Sequence, residues 1–212
     1  YTVLEVRTAL EQSNREAAAL KSYNDVLAAT NEENERLLRQ LETQAAALEQ
    51  LSREDPLTGI SNRRDLDERL HAEIARAERF GHPLVLALLD VDHFKSVNDS
   101  YSHAAGDRVL RSIAQYLRSN TRAIDIVARY GGEEFALVFV ETPLDAGSRL
   151  CEKLREGVAA MDWSALAQGR TITVSIGVAA WNEFRSATEL IAGADARLYQ
   201  AKRAGRNRVV FD

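Results

Sequence analysis

Apolar residues recur in the first fifty positions at a spacing found nowhere later in the chain. Val3, Leu10, Ala17, Leu38 and Ala45 share one heptad position, and Val6, Leu20, Leu27, Leu41 and Leu48 lie three residues further on. The stretch contains neither glycine nor proline and is dense in Ala, Leu, Glu, Gln and Arg. An a/d seam sustained over about six heptads predicts a coiled-coil helix over residues 1–52. Asn24 and Asn31 fall at a, and Ser13 and Asn34 at d. Such residues weaken a seam but define its register, and asparagine at a favours a parallel dimer. Ala9, Tyr23, Thr30, Leu37 and Leu51 form a second stripe beside the d positions. Two readings stay open: a helix that switches register or crossing angle, or a static dimer with extra apolar surface.

The heptads stop at Asp55-Pro56, because proline cannot continue the helix and biases its predecessor away from α. Thr58-Gly59 adds a turn, and Ser61-Asn62 reads as a helix N-cap. The pattern then predicts a helix over 62–80, a strand over 84–91, a helical turn after Asp92 and a helix over 104–120. Strands over 124–128 and 135–140 follow, joined at Gly131-Gly132. A helix over 143–160, a strand over 171–180, a helix over 186–204 and a strand over 208–211 complete the chain. Strands separated by helices, with a central hairpin, predict an α/β (α+β) fold built on one mixed sheet flanked by helices. The expected domains are 1–52 and 53–212.

Composition narrows the function. The formal charge of −5 over 212 residues argues against nucleic acid as the main ligand, since duplex binding rests on neutralising phosphates. One cysteine, Cys151, allows no internal disulfide and favours a reducing, cytoplasmic setting. It lies among Leu150, Leu154 and Val158 at helical spacing, so it reads as core and not as a nucleophile. No apolar run approaches the ~20 residues of a membrane span, and no signal peptide is visible. The chain opens at Tyr1 in mid-helix pattern, so it reads as a fragment with an upstream sensor domain missing.

The run 84–89 is continuously apolar and ends in Asp90-Val91-Asp92. Carboxylates at the end of a buried strand need a partner or a metal. Two more, Glu133 and Glu134, follow Gly131-Gly132, whose positive φ would suit a tight two-residue hairpin. Asp90 can meet Glu133 there, as a magnesium site or as a capping pair. Backbone amides at His93, Phe94 and Lys95 lead into a helix, an arrangement that suits a polyphosphate. Asn98 and Asp107 can face one cleft, where a carboxylate accepts from the N1–H and 2-amino group of guanine. Alternatively, Asn98 is a turn residue and Asp107 a helix cap. Lys202 and Arg206, four apart, either grip a phosphate tail or form a solvated basic helix end.

Six ordered segments resemble the motifs of the GGDEF family, the diguanylate cyclases. They are Asp55-Pro56-Leu57-Thr58-Gly59-Ile60-Ser61-Asn62-Arg63-Arg64; Asp90-Val91-Asp92-His93-Phe94-Lys95 with Asn98-Asp99; and His103 with Gly106-Asp107. The others are Arg129-Tyr130-Gly131-Gly132-Glu133-Glu134-Phe135, Val174-Ser175-Ile176-Gly177, and Tyr199-Gln200-Ala201-Lys202 with Gly205-Arg206-Asn207. The resemblance implies a palm-like sheet similar to that of nucleotidyl cyclases. It also implies condensation of two GTP into cyclic di-GMP and two pyrophosphates across a homodimer, in the cytoplasm of a bacterium. Asp90, the Val91 carbonyl, Glu133 and Glu134 would hold two Mg²⁺ per site, with Mn²⁺ as a substitute, and Glu133 would help deprotonate the 3′-hydroxyl. Asn98 and Asp107 would read guanine. The amides of His93, Phe94 and Lys95, with Lys202 and Arg206, would bind phosphates, while Gly131 and Gly132 admit the nucleotide. Ser102 stands where the family usually has glycine, and Ile60 where leucine is usual.

Arg122-Ala123-Ile124-Asp125 lies five residues before Gly131 and matches the family's Arg-x-x-Asp product-inhibition site; a surface ion pair is the simpler alternative. Three rival functions remain: a non-catalytic cyclic di-GMP sensor, a cyclase with mixed or adenine specificity and a structural dimeriser. Intact Asp90 and Glu133 argue against the first and Asp107 against the second. The third leaves six motifs unexplained.

Overall fold

The computed structural model describes residues 3–51, 53–164 and 170–212. The chain divides into two units, Tyr1–Ser52 and Arg53–Asp212. The first is a single helix, α1 (Val3–Leu51). On it Leu20, Leu27, Leu38, Leu41 and Leu48 are exposed, as are Tyr23 and Leu37 of the second stripe. The side chains of Val3, Val6, Ala9, Leu10, Ser13, Ala17 and Leu51 lie outside the described residues. Arg36 pairs with Glu33 at 2.7 Å and Arg39 with Glu35 at 3.7 Å, each adding a few tenths of a kcal/mol to helix stability.

The second unit contains β1 (Ser61–Asn62), α2 (Arg63–Phe80), β2 (Leu84–Val91), α3 (Phe94–Tyr101) and α4 (His103–Ser119). Then come β3 (Ile126–Arg129), β4 (Glu134–Val140), α5 (Leu144–Ala160), β5 (Val174–Ala180), α6 (Ala187–Arg203) and β6 (Val209–Val210). They form a mixed α/β fold on one sheet of order β1-β3-β4-β2-β5-β6. β1–β3 and β5–β6 are parallel, and the inner pairs are antiparallel.

All eight residues of β2 are buried, because this central strand is covered on both faces. Val85, Ala87 and Leu89 join Leu110, Ile113, Leu117, Cys151 and Leu154 on the α4/α5 side. Leu84, Leu86 and Leu88 join Leu66, Leu70, Leu190 and Leu198 on the α2/α6 side. Burial pushes the Cys151 thiol well above the ordinary range, as expected of an inert core cysteine. On β5, a Cβ at Gly177 would lie 2.1 Å from the Ala194 carbonyl oxygen and 2.2 Å from the Leu198 nitrogen. Only glycine lets α6 approach the sheet so closely.

Several boundaries differ from expectation. Ser61-Asn62 pairs with Ala128 and Arg129 as a short parallel strand, while Asn62 also caps α2 by accepting from the Asp65 N–H. β3 begins at Ile126 and leaves Ile124 exposed. The β3–β4 connection is the four residues 130–133, not a two-residue turn. Neither Gly131 nor Gly132 has a positive φ. Tyr130 and Gly131 both donate to the Glu134 carbonyl, at 2.8 and 3.2 Å, which closes the wider loop without a left-handed residue.

Ser102, between α3 and α4, has φ 116° and ψ 159°, a region other residues leave almost entirely to glycine. Its hydroxyl accepts weakly from the Ala105 N–H at 3.4 Å. Relief of strain outweighs that cap and the chain entropy of glycine, so Ser102→Gly should stabilise the protein by about 1 kcal/mol. A rise in the denaturant midpoint at unchanged slope would check this; a fall would show that the hydroxyl matters more than the backbone.

Candidate active site

The register of the sheet assembles the acids. Asp90 stands opposite Glu134 on β4 and Ser175 on β5, and strand alternation turns all three to the face carrying α2 and α6. The Val91 N–H donates to the Glu133 carbonyl at 3.2 Å, which ties the start of β4 to the end of β2. Asp90 is 7% exposed, and its carboxylate pairs with the Lys202 ammonium of α6 at 2.7 Å. Lys202, expected on a phosphate tail, is also the counter-ion of the strand-end acid, because a desolvated carboxylate needs a cation within reach.

Burial raises the Asp90 pKa and the charge of Asp92 adds to the rise, against the hydrogen bond and charge of Lys202 and the charge of Arg206. Glu133 is raised by burial, then by the charge of Asp90 and more weakly by Glu134, with Lys202 opposing. These carboxylates repel each other, and a divalent cation would relieve that repulsion. Among the described residues no three His, Cys, Asp or Glu side chains close into a cage. Magnesium needs none, since it keeps waters and substrate oxygens beside one or two carboxylates. Hard oxygen donors in mutual repulsion fit such an ion.

A pH effect follows. Both acids bind protons more tightly folded than unfolded, so their contribution to stability is full below their unfolded pKa values. It is lost as pH rises through the folded values, upward from the ordinary carboxylate range. Without metal, the melting temperature of wild type relative to an Asp90→Asn/Glu133→Gln variant should fall as pH rises from 4 to 7. Magnesium at pH 7 should recover the difference. Parallel curves for the two proteins would contradict the assignment.

The loop that carries Glu133 is pinned from outside. Arg129 donates to the Gly132 carbonyl through Nε at 3.2 Å and Nη2 at 2.7 Å. Its Nη1 reaches both oxygens of Asp55 at 3.2 Å. Asp55 in turn accepts from the Thr58 N–H at 2.9 Å and hydroxyl at 2.6 Å. A Cβ at Gly131 would lie 2.5 Å from Glu134 Oε2, so this glycine makes room for the acid. A Cβ at Gly132 would meet nothing within 4 Å, which leaves space for a ligand on that side.

His93 precedes α3 in a left-handed conformation, and no side chain caps that helix start. The first backbone N–H groups of α3, with exposed Lys95, thus remain available to an anion. The carboxamide oxygen of Asn98 would lie 2.0 Å from a Cβ at Gly106, so α3 and α4 bring Asn98 against the residue preceding Asp107. Both side chains are half-buried.

Asp125, expected with Arg122 as a product site, lines one cavity with it and is also held by the backbone. It is 1% exposed; its Oδ2 accepts from the Arg122 N–H at 2.9 Å and its Oδ1 from the Val140 N–H at 3.2 Å. A buried carboxylate needs donors, and here the backbone supplies them. Asp125 shapes the turn, and exposed Arg122 lines a cavity of about 470 Å³ with Arg149 and Lys153.

Sequence reasoning missed the Arg129–Asp55 bridge, the contacts of Asp92, and Arg170, which donates to Ser96 Oγ at 2.7 Å beside His93. The acid of Asp55-Pro56 and the arginine before the glycine pair were visible signals, but 74 positions separate them.

Repelling acids beside a lysine, a second basic side chain and an uncapped helix start are the features of a metal-dependent nucleotide site. Residues 52–208 match the family described as "Diguanylate cyclase, GGDEF domain", and the chain belongs to that family. It is 46% identical over 155 residues to the diguanylate cyclase DgcP of Pseudomonas aeruginosa, a match covering 73% of this chain and 23% of that protein. The chain thus spans about a quarter of that relative's length. It resembles the coiled coil and GGDEF domain of DgcB from Caulobacter crescentus in complex with c-di-GMP, with TM-score 0.71 and 34% identity. That match covers 90% of this chain and 100% of the other. The diguanylate cyclase SiaD of Pseudomonas aeruginosa, in complex with its activator SiaC, aligns with TM-score 0.72 and 36% identity. Here 99% of this chain and 79% of the other are covered.

Proposed function

We propose that this chain condenses two GTP into cyclic di-GMP with release of two pyrophosphates. The meeting of Asp90 and Glu133 beside Lys202 carries the reading. Family membership supports it. Asp90, the Val91 carbonyl, Glu133 and Glu134 are the donors for two Mg²⁺, with Mn²⁺ able to replace them. Bound there, the ions lower the pKa of the attacking hydroxyl and neutralise phosphate charge.

The chain's own groups do the rest. Glu133 accepts the proton of the 3′-hydroxyl. Asn98 and Asp107 read the guanine edge. The amides of His93, Phe94 and Lys95, with Lys202 and Arg206, hold the outer phosphates. Gly132, open on its Cβ side, lets the nucleotide approach the backbone, and Gly131 leaves room for Glu134.

One subunit supplies one nucleotide, so two copies must face each other. The leucine row on α1 supports a parallel coiled-coil homodimer that sets their separation. Chromatographic analysis of GTP incubated with the chain and Mg²⁺ should yield cyclic di-GMP. No cyclic dinucleotide, or equal use of ATP, would overturn the reading.

The basic cavity around Arg122 supports product inhibition there. A charge-assisted contact is lost in Arg122→Ala, so the cyclic di-GMP concentration for half-inhibition should rise about tenfold. An unchanged inhibition curve would place the inhibitory site elsewhere.

A further inference from the structure

The second acid of Asp90-Val91-Asp92 is only 5% exposed, yet the metal reading assigns it no role. Both oxygens of its carboxylate are engaged by the protein. Oδ1 accepts from Ser175 Oγ at 2.7 Å, and Oδ2 accepts from Thr173 Oγ1 at 2.7 Å and the Asn207 N–H at 3.0 Å. Its own N–H donates to the Thr173 carbonyl at 2.9 Å. Three donors hold both oxygens and leave about one of the group's roughly four lone-pair positions unused.

The third donor lies in an unusual turn. Gly205, Arg206 and Asn207 follow α6 with φ of 111°, 62° and 45°, and two of these successive left-handed residues carry a Cβ. Such backbone persists only where its surroundings over-determine it. Here the Arg206 N–H donates to the Ala201 carbonyl at 3.0 Å, and Asp92 holds the Asn207 N–H. From the opposite side, Arg155 of α5 donates to Asn207 Oδ1 at 2.8 Å. The Arg206 carbonyl accepts from Arg208 Nε at 3.1 Å. The turn is thus clamped between the end of β2 and α5. The charge of Arg206 opposes the rise in the Asp90 pKa, so its guanidinium lies within electrostatic reach of that acid.

We propose that Asp92 is a positioning residue: its carboxylate fastens the turn after α6 to the end of β2 and so fixes Arg206 for the outer phosphates of the nucleotide. The inference rests on the phosphate-binding role proposed for Arg206 above. Asp92 acts on affinity for the triphosphate tail through Arg206, and it does not act on the guanine end, which Asn98 and Asp107 read from α3 and α4.

Asparagine at 92 keeps the volume and one acceptor. Its amide nitrogen can donate to Ser175, whose hydroxyl can turn to accept, so the fold tolerates the change. The bond to Asn207 is then no longer charge-assisted.

The test measures calorimetric binding of 3′-deoxy-GTP, which lacks the attacking hydroxyl, and of GMP, which lacks the outer phosphates, both with Mg²⁺ and the whole chain. Asp92→Asn should weaken 3′-deoxy-GTP about tenfold and leave GMP nearly unchanged. In an Arg206→Ala background the same change should add little further loss, because both act through one side chain. Equal weakening of GMP, or multiplying losses in the double variant, would overturn the inference in favour of a general structural effect. Full affinity in Asp92→Asn with weakened Arg206→Ala would overturn it while the phosphate role of Arg206 stands. Full affinity in Arg206→Ala would overturn that role and the inference with it. Should Asp92→Asn fail to fold, Thr173→Val removes one hydroxyl that orients the carboxylate and should show the same selectivity at smaller size. Equal loss of both ligands there would again overturn it.

Discussion

Glu133→Gln should lower turnover of GTP by about 10²–10⁴-fold, the range that a positioned proton acceptor contributes. The same change should leave the fold intact. Folding raises the proton affinity of Glu133, chiefly because burial penalises its charge and Asp90 repels it. A neutral amide of the same shape therefore removes a repulsion, and the metal-free variant should melt no lower than wild type at neutral pH. Product formation and thermal melting, measured together, separate the two effects. Wild-type turnover in a folded, metal-supplied Glu133→Gln protein would remove this residue from the chemistry. A lower melting temperature would instead mean that the carboxylate stabilises the loop.

Arg129→Ala should damage both stability and activity. The guanidinium joins the Gly132 carbonyl to Asp55 through four hydrogen bonds, with side chains 18% and 15% exposed. Loss of the partner leaves Asp55 half-satisfied in a nearly buried place. After discounting for residual exposure, a cost of about 2 kcal/mol is expected, or a fall of about 4–8 °C in melting temperature. Displacing the 130–133 loop by even an ångström should cost about 10²-fold in turnover. Lysine cannot reproduce the planar fork, so Arg129→Lys should recover little of either. If turnover survives while stability falls, the loop is held by the bonds of Tyr130 and Gly131 to the Glu134 carbonyl alone.

Periodicity determined much of this protein by itself. Heptads marked α1, and an unbroken apolar run marked β2 as central, because only a strand covered on both faces tolerates one. Helix positions came out within a few residues, since an amphipathic period leaves little choice of face. The six ordered motifs identified the family before any geometry was known. Spacing also put Asp90 at a strand end and Glu133 at a loop. It could not show that the loop has four residues and no left-handed glycine, because its closure depends on the shared acceptor at Glu134. Nor could it assign partners to buried acids. Asp125, expected as a ligand residue, also serves two backbone amides. Lys202, expected on a phosphate, also pairs with Asp90. Asp92 drew no assignment, although it binds residues up to 115 positions away. Local sequence dictates which groups a segment offers; the tertiary structure alone decides which of them meet. A desolvated charge takes whatever donor the fold brings within about 3 Å.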